Sequence, residues 1–156
     1  MRLPLVGRGA ELRFVAEALS EAAGVVIAGS AGVGKTRLAD EASQRAEADG
    51  HTVAWVRANR SAASIPLGAF APLLPATGSR LPEGVELLAH ARHALAARAA
   101  GTRLVLCVDD GQLLDDASAA LVHQLVAAGE AFAIVTVRKD VPVPDALGRN
   151  RRQCLR

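Results

Sequence analysis

The sequence predicts an α/β fold in which a mostly parallel sheet is covered by helices on both faces. Strand-like and helix-like patterns alternate along the chain, and this order is typical of parallel sheets. The strand-like segments are short, continuous apolar runs, as expected for strands that are buried on both faces. A glycine-rich turn also joins the first of these runs to a helical pattern.

The first half of the chain alternates regularly. The opening helix has apolar residues at helical spacing, namely Leu12, Val15 and Leu19. Residues 25–28 then form an apolar strand, and residues 35–49 form a helix with one apolar face. Gly50 is suited to end that helix in the left-handed conformation. The second strand covers residues 52–57.

Residues 61–82 interrupt this alternation. They carry four prolines, which exclude one long helix. Apolar side chains in the same stretch, among them Ile65 and Phe70, nonetheless need cover. The segment is therefore expected to be a packed excursion rather than a free linker.

Two helix–strand pairs complete the predicted domain. Residues 83–100 form a helix, and residues 104–108 form the third and most apolar strand. Asp115 or Asp116 caps the next helix, because a carboxylate can accept hydrogen bonds from the free N–H groups of a first turn. The fourth strand covers residues 131–137.

Composition and charge exclude several classes of protein. Of the 156 residues, 51% are hydrophobic and 22% are charged, which is typical of a globular domain. No apolar run reaches the roughly 18 residues of a membrane span, and the N-terminus lacks a signal-peptide pattern, so we expect a cytoplasmic protein. The net charge of +2 arises from four arginines near the C-terminus, without which 14 basic residues face 16 acidic ones. We therefore expect a domain over residues 1–147 and a basic, disordered tail over 148–156.

The glycine-rich turn has the full P-loop pattern. Residues 29–36 read Gly-Ser-Ala-Gly-Val-Gly-Lys-Thr, between an apolar strand and a helical pattern. The glycines allow backbone N–H groups to approach a phosphate, Lys35 offers charge to the β- and γ-phosphates, and the Thr36 hydroxyl ligates Mg²⁺. The expected nucleotide contacts are Gly29, Ser30, Ala31, Gly32, Val33, Gly34, Lys35, Thr36 and Arg37. The turn predicts a nucleoside triphosphate site in a P-loop NTPase three-layer sandwich; the alternative is a chance glycine-rich turn.

Two acids follow the third strand. Asp109 and Asp110 stand where the carboxyl end of a parallel strand faces the ligand crevice of an α/β sheet. Asp109 is expected to hold Mg²⁺ through water, and Asp110 to polarise the attacking water as a general base. The alternative is that both are solvated loop acids or caps of the next helix.

Other candidates lie beside the same crevice. Thr136 and Arg138 end the fourth strand, where a hydroxyl can orient the lytic water and a guanidinium can sense the γ-phosphate. An edge threonine and a surface arginine are the alternative. His90 and His93 stand three residues apart, but no third ligand has matching spacing, so a metal pair is rejected.

The base is expected to be adenine. Ras-type GTPases use an Asp-x-x-Gly element and a later Asn/Thr-Lys-x-Asp element that reads the base. Here Asp109 is followed at the third position by Gln112, and residues 137–140, Val-Arg-Lys-Asp, lack the spacer of the second element. ATP is therefore favoured over GTP. Near the N-terminus, Arg8 and the apolar pair before Gly7 are a weaker candidate for contact with the base.

In combination, the motifs resemble a known family. They are Leu5-Val-Gly-Arg8, the P-loop, Val56-Arg57 with Ser64-Ile-Pro-Leu-Gly-Ala-Phe70, and Val108-Asp-Asp with Leu114-Asp-Asp-Ala-Ser118. Their order resembles the N-terminal AAA/STAND-type ATPase domain of large LuxR-type transcriptional regulators, which are related to MalT-like activators. The resemblance extends to about Pro144 and implies a core of the additional-strand-Glu type of P-loop protein. It also implies a base loop at Arg8, Walker B acids at Asp109 and Asp110, and a sensor at Arg138.

The resemblance leads to one hypothesis about function and one alternative. The hypothesis is an ATP-binding, weakly hydrolysing regulatory switch, a fragment of a LuxR-type regulator. Its expected partners are ATP or ADP and a homo-oligomer or a related full-length regulator, without a membrane or direct, specific DNA binding by this fragment. The alternative is a non-enzymatic interaction module that nucleotide stabilises.

The C-terminal end is expected to depart from the family. Family members continue into a fifth core strand, a helical lid and further domains, whereas residues 148–156 lose all periodicity. The fifth strand and the lid are therefore expected to be missing. The strand over residues 25–28 would then be an unpaired apolar edge.

Overall fold

The computed structural model describes residues 7–76 and 82–142, together with the backbone of a short strand over 152–154. The helices are α1 Gly9–Glu21, α2 Lys35–Ala48, α3 Gly84–Ala99 and α4 Asp116–Ala127. The strands are β1 Gly24–Gly29, β2 Thr52–Arg57, β3 Leu104–Asp109, β4 Ala131–Arg138 and β5 Arg152–Cys154. Short 3-10 turns cover Ala62–Ser64, Gly68–Leu73 and Gly111–Leu113.

The strands form one sheet in the order β2-β3-β4-β1-β5, and each neighbouring pair is parallel. The four strands predicted from the apolar runs are all present, so the predicted α/β class is confirmed. Residues of β1, β3 and β4 alternate between two hydrophobic cores, one on each face of the sheet. Helices α1 and α2 pack in one core, while α3, α4 and the Gly68–Leu73 turn pack in the other.

The outer edge of β1 differs from the expectation. Arg152–Cys154 forms β5 and pairs in parallel with Val25, Val26 and Ile27. The expectations of an unpaired β1 edge, a missing fifth strand and a wholly disordered tail are therefore not met at these residues. The physical reason is that backbone N–H and C=O groups pair whatever the side chains are, so the loss of apolar periodicity in the tail did not reveal the strand. The other residues of the predicted tail lie outside the described part of the chain.

The excursion after β2 is packed, as predicted, but not at every apolar position. Phe70 and Leu67 are 0% and 2% exposed and belong to the core under α3 and α4. Ile65 was expected to be covered and is 59% exposed, so that expectation is wrong. The difference follows from the two short turns, which direct only part of the segment towards the sheet.

Within the described residues, no helix combines the length and the apolar character needed to cross a bilayer.

Candidate nucleotide-binding site

The candidate site lies at the edge of the sheet where the strands carry their carboxyl ends. β1, β3 and β4 end at Gly29, Asp109 and Arg138, and these ends share one edge because the strands are parallel. The loop of residues 30–34 leaves this edge, and α2 begins at Lys35. The crossover from strand to helix therefore places the loop beside the ends of β3 and β4, at the usual ligand crevice of an open α/β sheet.

The glycines of the loop have distinct reasons to be glycine. Gly32 and Gly34 have φ angles of +78° and +87°, in the left-handed region that glycine adopts without strain. At Gly29 the constraint is space, because a Cβ atom would lie 2.9 Å from Cγ2 of Val33. Gly34 also precedes α2 and offers no side chain to cap its first N–H groups, which leaves these donors for an anion.

Lys35 is the buried cation of the loop, and most of the neighbouring residues are exposed. Lys35 is 8% exposed, and its Nζ donates a hydrogen bond of 2.8 Å to the carbonyl oxygen of Ser30. The ammonium group is thus held against the loop itself. The remaining predicted contacts are exposed or half-buried: Ser30, Ala31, Gly32, Val33, Gly34, Thr36 and Arg37.

A chain of hydroxyl and carboxylate groups joins the loop to β3 and β4. The Thr36 hydroxyl donates to Oδ1 of Asp109 at 2.8 Å. The Thr136 hydroxyl donates to the same Oδ1 at 2.6 Å and accepts from the backbone N–H of Asp110 at 3.0 Å. Thr136 is fully buried. The structure therefore brings four of the predicted residues together, although they come from three separate segments of the chain.

Asp110 is held by a residue that the sequence analysis did not select. Asp110 adopts a left-handed conformation with φ +55°. Gln112 donates from Nε2 to Oδ1 of Asp110 at 3.2 Å, and its Oε1 accepts from the backbone N–H of Arg138 at 3.2 Å. The side chain of Arg138 is exposed. A polar residue two positions after a Walker B acid was the available signal for Gln112.

Arg8 contacts the phosphate loop. Its guanidinium donates to the carbonyl oxygen of Val33 at 3.0 Å and to Oε1 of Glu11 at 3.1 Å. The apolar residues Leu5 and Val6, which precede it, lie outside the described residues. The predicted base loop is thus tied to the P-loop through Arg8, and Glu11 orients that arginine.

The donor set fits a phosphate group with Mg²⁺. A hydroxyl and a carboxylate are hard oxygen ligands, and Mg²⁺ commonly uses one or two of these together with water and phosphate oxygens. Thr36 and Asp109 supply such a pair. In the described part of the chain, no three His, Cys, Asp or Glu side chains lie together as a metal site.

The fold and the site define a P-loop nucleotide-binding domain. Residues 4–137 match the family described as "AAA ATPase domain". This match covers most of the chain, and the chain belongs to that family. No curated protein is similar enough to this chain to count as a match.

Solved structures show the same fold. A DNA replication initiation factor is 21% identical with a TM-score of 0.58, over 96% of this chain and 47% of that protein. The Aeropyrum pernix ORC1 protein in complex with DNA is 19% identical with a TM-score of 0.58, over 96% and 45%. AMPPCP-bound DnaA from Aquifex aeolicus is 18% identical with a TM-score of 0.59, over 97% and 48%. The chain thus spans about half the length of these proteins, and identities this low show similarity of fold alone.

Proposed function

We propose that this domain binds ATP together with Mg²⁺ and acts as a regulatory switch that hydrolyses ATP slowly. The observation that carries the proposal is the 2.8 Å hydrogen bond between the Thr36 hydroxyl and Asp109. It joins the last residue of the P-loop to the acid at the end of β3. In P-loop NTPases, groups of these two kinds hold the Mg²⁺ of the triphosphate.

Binding rests on groups that are already in place. The first N–H groups of α2 and the left-handed turns at Gly32 and Gly34 present donors to the phosphates. Lys35 adds a positive charge at the loop. Thr36 and Asp109 are the residues that would hold Mg²⁺, which, when bound, neutralises charge on the phosphate oxygens.

Hydrolysis is assigned to Asp110 as the general base, which accepts a proton from the attacking water. Thr136 was predicted to orient that water. Its hydroxyl instead donates to Asp109 and accepts from Asp110, so we assign it to the alignment of the two acids. Arg138 pairs with Gly29 in the β1–β4 register, which supports a role for its guanidinium in sensing charge on the γ-phosphate.

The choice of ATP has two supports. The Asn/Thr-Lys-x-Asp element, which reads guanine in Ras-type GTPases, is absent from the sequence. In addition, the DnaA structure of similar fold was solved with AMPPCP, an ATP analogue. Arg8 extends from the predicted base loop to the P-loop, and this contact supports a joint response of the two loops to ATP.

The regulatory role rests on the resemblance in motifs. The Val-Gly-Arg start and the Leu114-Asp-Asp-Ala-Ser118 segment favour a LuxR-type, STAND-class regulator of which this chain is one domain. We propose cytoplasmic location and assembly with further copies or with a full-length relative on the same basis. Specific recognition of DNA is assigned to other parts of such a regulator.

A second candidate is an interaction module in which nucleotide only stabilises the fold. Ile65, which is 59% exposed in the excursion after β2, favours this candidate, because a large exposed apolar side chain suits contact with a partner. Measured turnover of ATP that Asp110→Asn abolishes would argue against it. Binding of ATP without turnover would support it.

Binding is tested by titration with a fluorescent ATP analogue and Mg²⁺. We expect Lys35→Ala to weaken binding by about 10- to 100-fold, since a charge-assisted hydrogen bond contributes about 1.5–3 kcal/mol. Arg98→Ala removes the same charge from the exposed side of α3 and serves as the control. Wild-type protein that does not bind, or Lys35→Ala that binds equally well, would refute the proposed site.

A further inference from the structure

We propose that Gln112 is a positioning residue for Asp110. Its side-chain amide joins the Asp110 carboxylate to the end of β4, and it thereby holds the general base in the position that hydrolysis requires. This inference rests on the proposed function, and in particular on Asp110 as the base.

The two hydrogen bonds of Gln112 determine the orientation of its amide. The backbone N–H of Arg138 requires an acceptor, and the Asp110 carboxylate requires a donor. Gln112 meets these needs with Oε1 and Nε2, each at 3.2 Å. A carboxylate in its place could serve only the N–H group, and an apolar side chain could serve neither group.

Asp110 is a residue that needs such support. Its left-handed backbone, at φ +55° and ψ +49°, costs a non-glycine residue about 1 kcal/mol. Its N–H group is held by Thr136 at 3.0 Å, and its carbonyl oxygen accepts from the N–H of Leu113 at 2.8 Å. These bonds restrain the main chain. Among the described contacts, the bond from Gln112 is the one that restrains the carboxylate itself.

The other end of the amide reaches the strand beside the phosphate loop. Arg138 stands opposite Gly29 in the β1–β4 register, and the N–H of Lys139 donates to the carbonyl oxygen of Gly29 at 3.4 Å. Gln112 therefore connects the general base to the strand end that borders the first residue of the P-loop. A displacement of about 1 Å at a catalytic group can lower a rate by about 100-fold.

The test compares Gln112→Glu with Gln112→Leu by steady-state ATP hydrolysis. Glu retains the acceptor for Arg138 but places a negative charge against Asp110, whereas Leu removes both hydrogen bonds. If Gln112 acts through Asp110, both variants should lower kcat by about 10- to 100-fold, with Glu at least as severe as Leu. The affinity for a fluorescent ATP analogue should stay within about twofold of wild type, because neither variant touches the P-loop.

Three further measurements separate the outcomes. In the Asp110→Asn background, Gln112→Leu should cause no additional loss of kcat, because both changes remove the same function. Gln124→Leu, at an exposed position on α4, is the control and should hydrolyse ATP as wild type does. Thermal unfolding of each variant establishes that it is folded.

The failures of the two proposals are distinguishable. If Gln112→Glu turns over ATP like wild type while Gln112→Leu does not, Gln112 only braces β4 and the inference is wrong. Wild-type protein that binds ATP without any turnover also overturns it, because there is then no reaction to support. Wild-type protein that does not bind ATP overturns the proposed function itself.

Discussion

Two connections leave the same edge of the sheet, and they are built in opposite ways. The P-loop between β1 and α2 exposes most of its side chains, and left-handed glycines shape its backbone. The longer connection between β2 and α3 places Leu67 and Phe70 in the hydrophobic core. The first connection leaves its donors for a ligand, whereas the second uses its side chains to cover the sheet. A connection can thus be shaped by its own backbone or by the surface on which it packs.

The second connection is also tied to helix α4. Asp115 accepts a hydrogen bond from the N–H of Leu67 at 3.1 Å and caps α4 by accepting from the N–H of Ser118 at 3.1 Å. Leu67 has φ +57°, which is unfavourable for a branched side chain. Packing and one hydrogen bond therefore hold a strained residue in place, and this contrast with the P-loop can be tested.

The largest effect is expected for Phe70→Ala. Because Phe70 is fully buried, the variant should lose about 3–5 kcal/mol of unfolding free energy, as large-to-small core changes do. Ile65→Ala, five residues earlier and 59% exposed, should stay within about 0.5 kcal/mol of wild type. Urea denaturation measures both variants. Equal losses would show that the excursion is not packed as described.

The next effect is expected for Asp115→Ala. The variant loses a helix cap and the bond to Leu67, so its unfolding free energy should fall by about 2 kcal/mol. Asp116→Ala changes an exposed acid in the first turn of the same helix and should cost less than about 1 kcal/mol. If the two variants lose stability equally in urea denaturation, Asp115 does not tie the excursion to α4.

A smaller change in stability is expected for Gly34→Ala. An added Cβ would meet nothing within 4 Å, so the cost comes from φ +87° alone and should be about 1 kcal/mol. Affinity for ATP should fall as well, because the loop relaxes away from its left-handed turn. Gly9→Ala in α1 also has free space around the added Cβ but no positive φ, so it should be neutral or slightly stabilising. Denaturation and nucleotide titration of both variants test this difference; equal behaviour would refute it.

The smallest effect is expected away from both connections, at the surface ion pair of Arg92 and Glu130. Nη2 of Arg92 lies 2.6 Å from Oε1 of Glu130. The Arg92 guanidinium lowers the pKa of the Glu130 carboxyl through a hydrogen bond. The pair therefore contributes stability above the ordinary pKa of glutamate, and this is lost as the pH falls through the lowered value. Glu130→Gln should lower the melting temperature slightly at neutral pH and not at acidic pH. A difference that persists in acid would mean that the contribution is not ionic.

Burial also makes the thiol of Cys107, in the interior strand β3, unreactive. Desolvation raises the pKa of the Cys107 thiol to about 12, so its thiolate is scarce at neutral pH. In a Cys154→Ser background, Cys107 should resist alkylation until the protein unfolds, as followed by mass spectrometry. Rapid modification of the folded protein would show that the sheet opens.

Much of the site could be predicted because its parts are local in the sequence. The P-loop pattern needs only eight consecutive residues, and the acids at 109 and 110 follow directly from an apolar run. The sequence offered only the position of Gln112, two residues after Asp110, and gave no sign of its bond to Arg138 or of the Arg8–Val33 contact. Each depends on a side chain that reaches a backbone group 26 or 25 residues away in the chain.

The sequence by itself determined the alternation of strands and helices, the parallel sheet and the position of the phosphate loop. Apolar periodicity and glycine act over a few residues, so each strand, helix and turn leaves a local pattern, and the order of these patterns predicts the sheet. The tertiary structure alone decided that the Thr136 hydroxyl donates to Asp109, that Ile65 stays exposed, and that Arg152–Cys154 covers the edge of β1. These features depend on distant segments of the chain or on backbone groups that are the same in every residue. Such features leave no local pattern in the sequence.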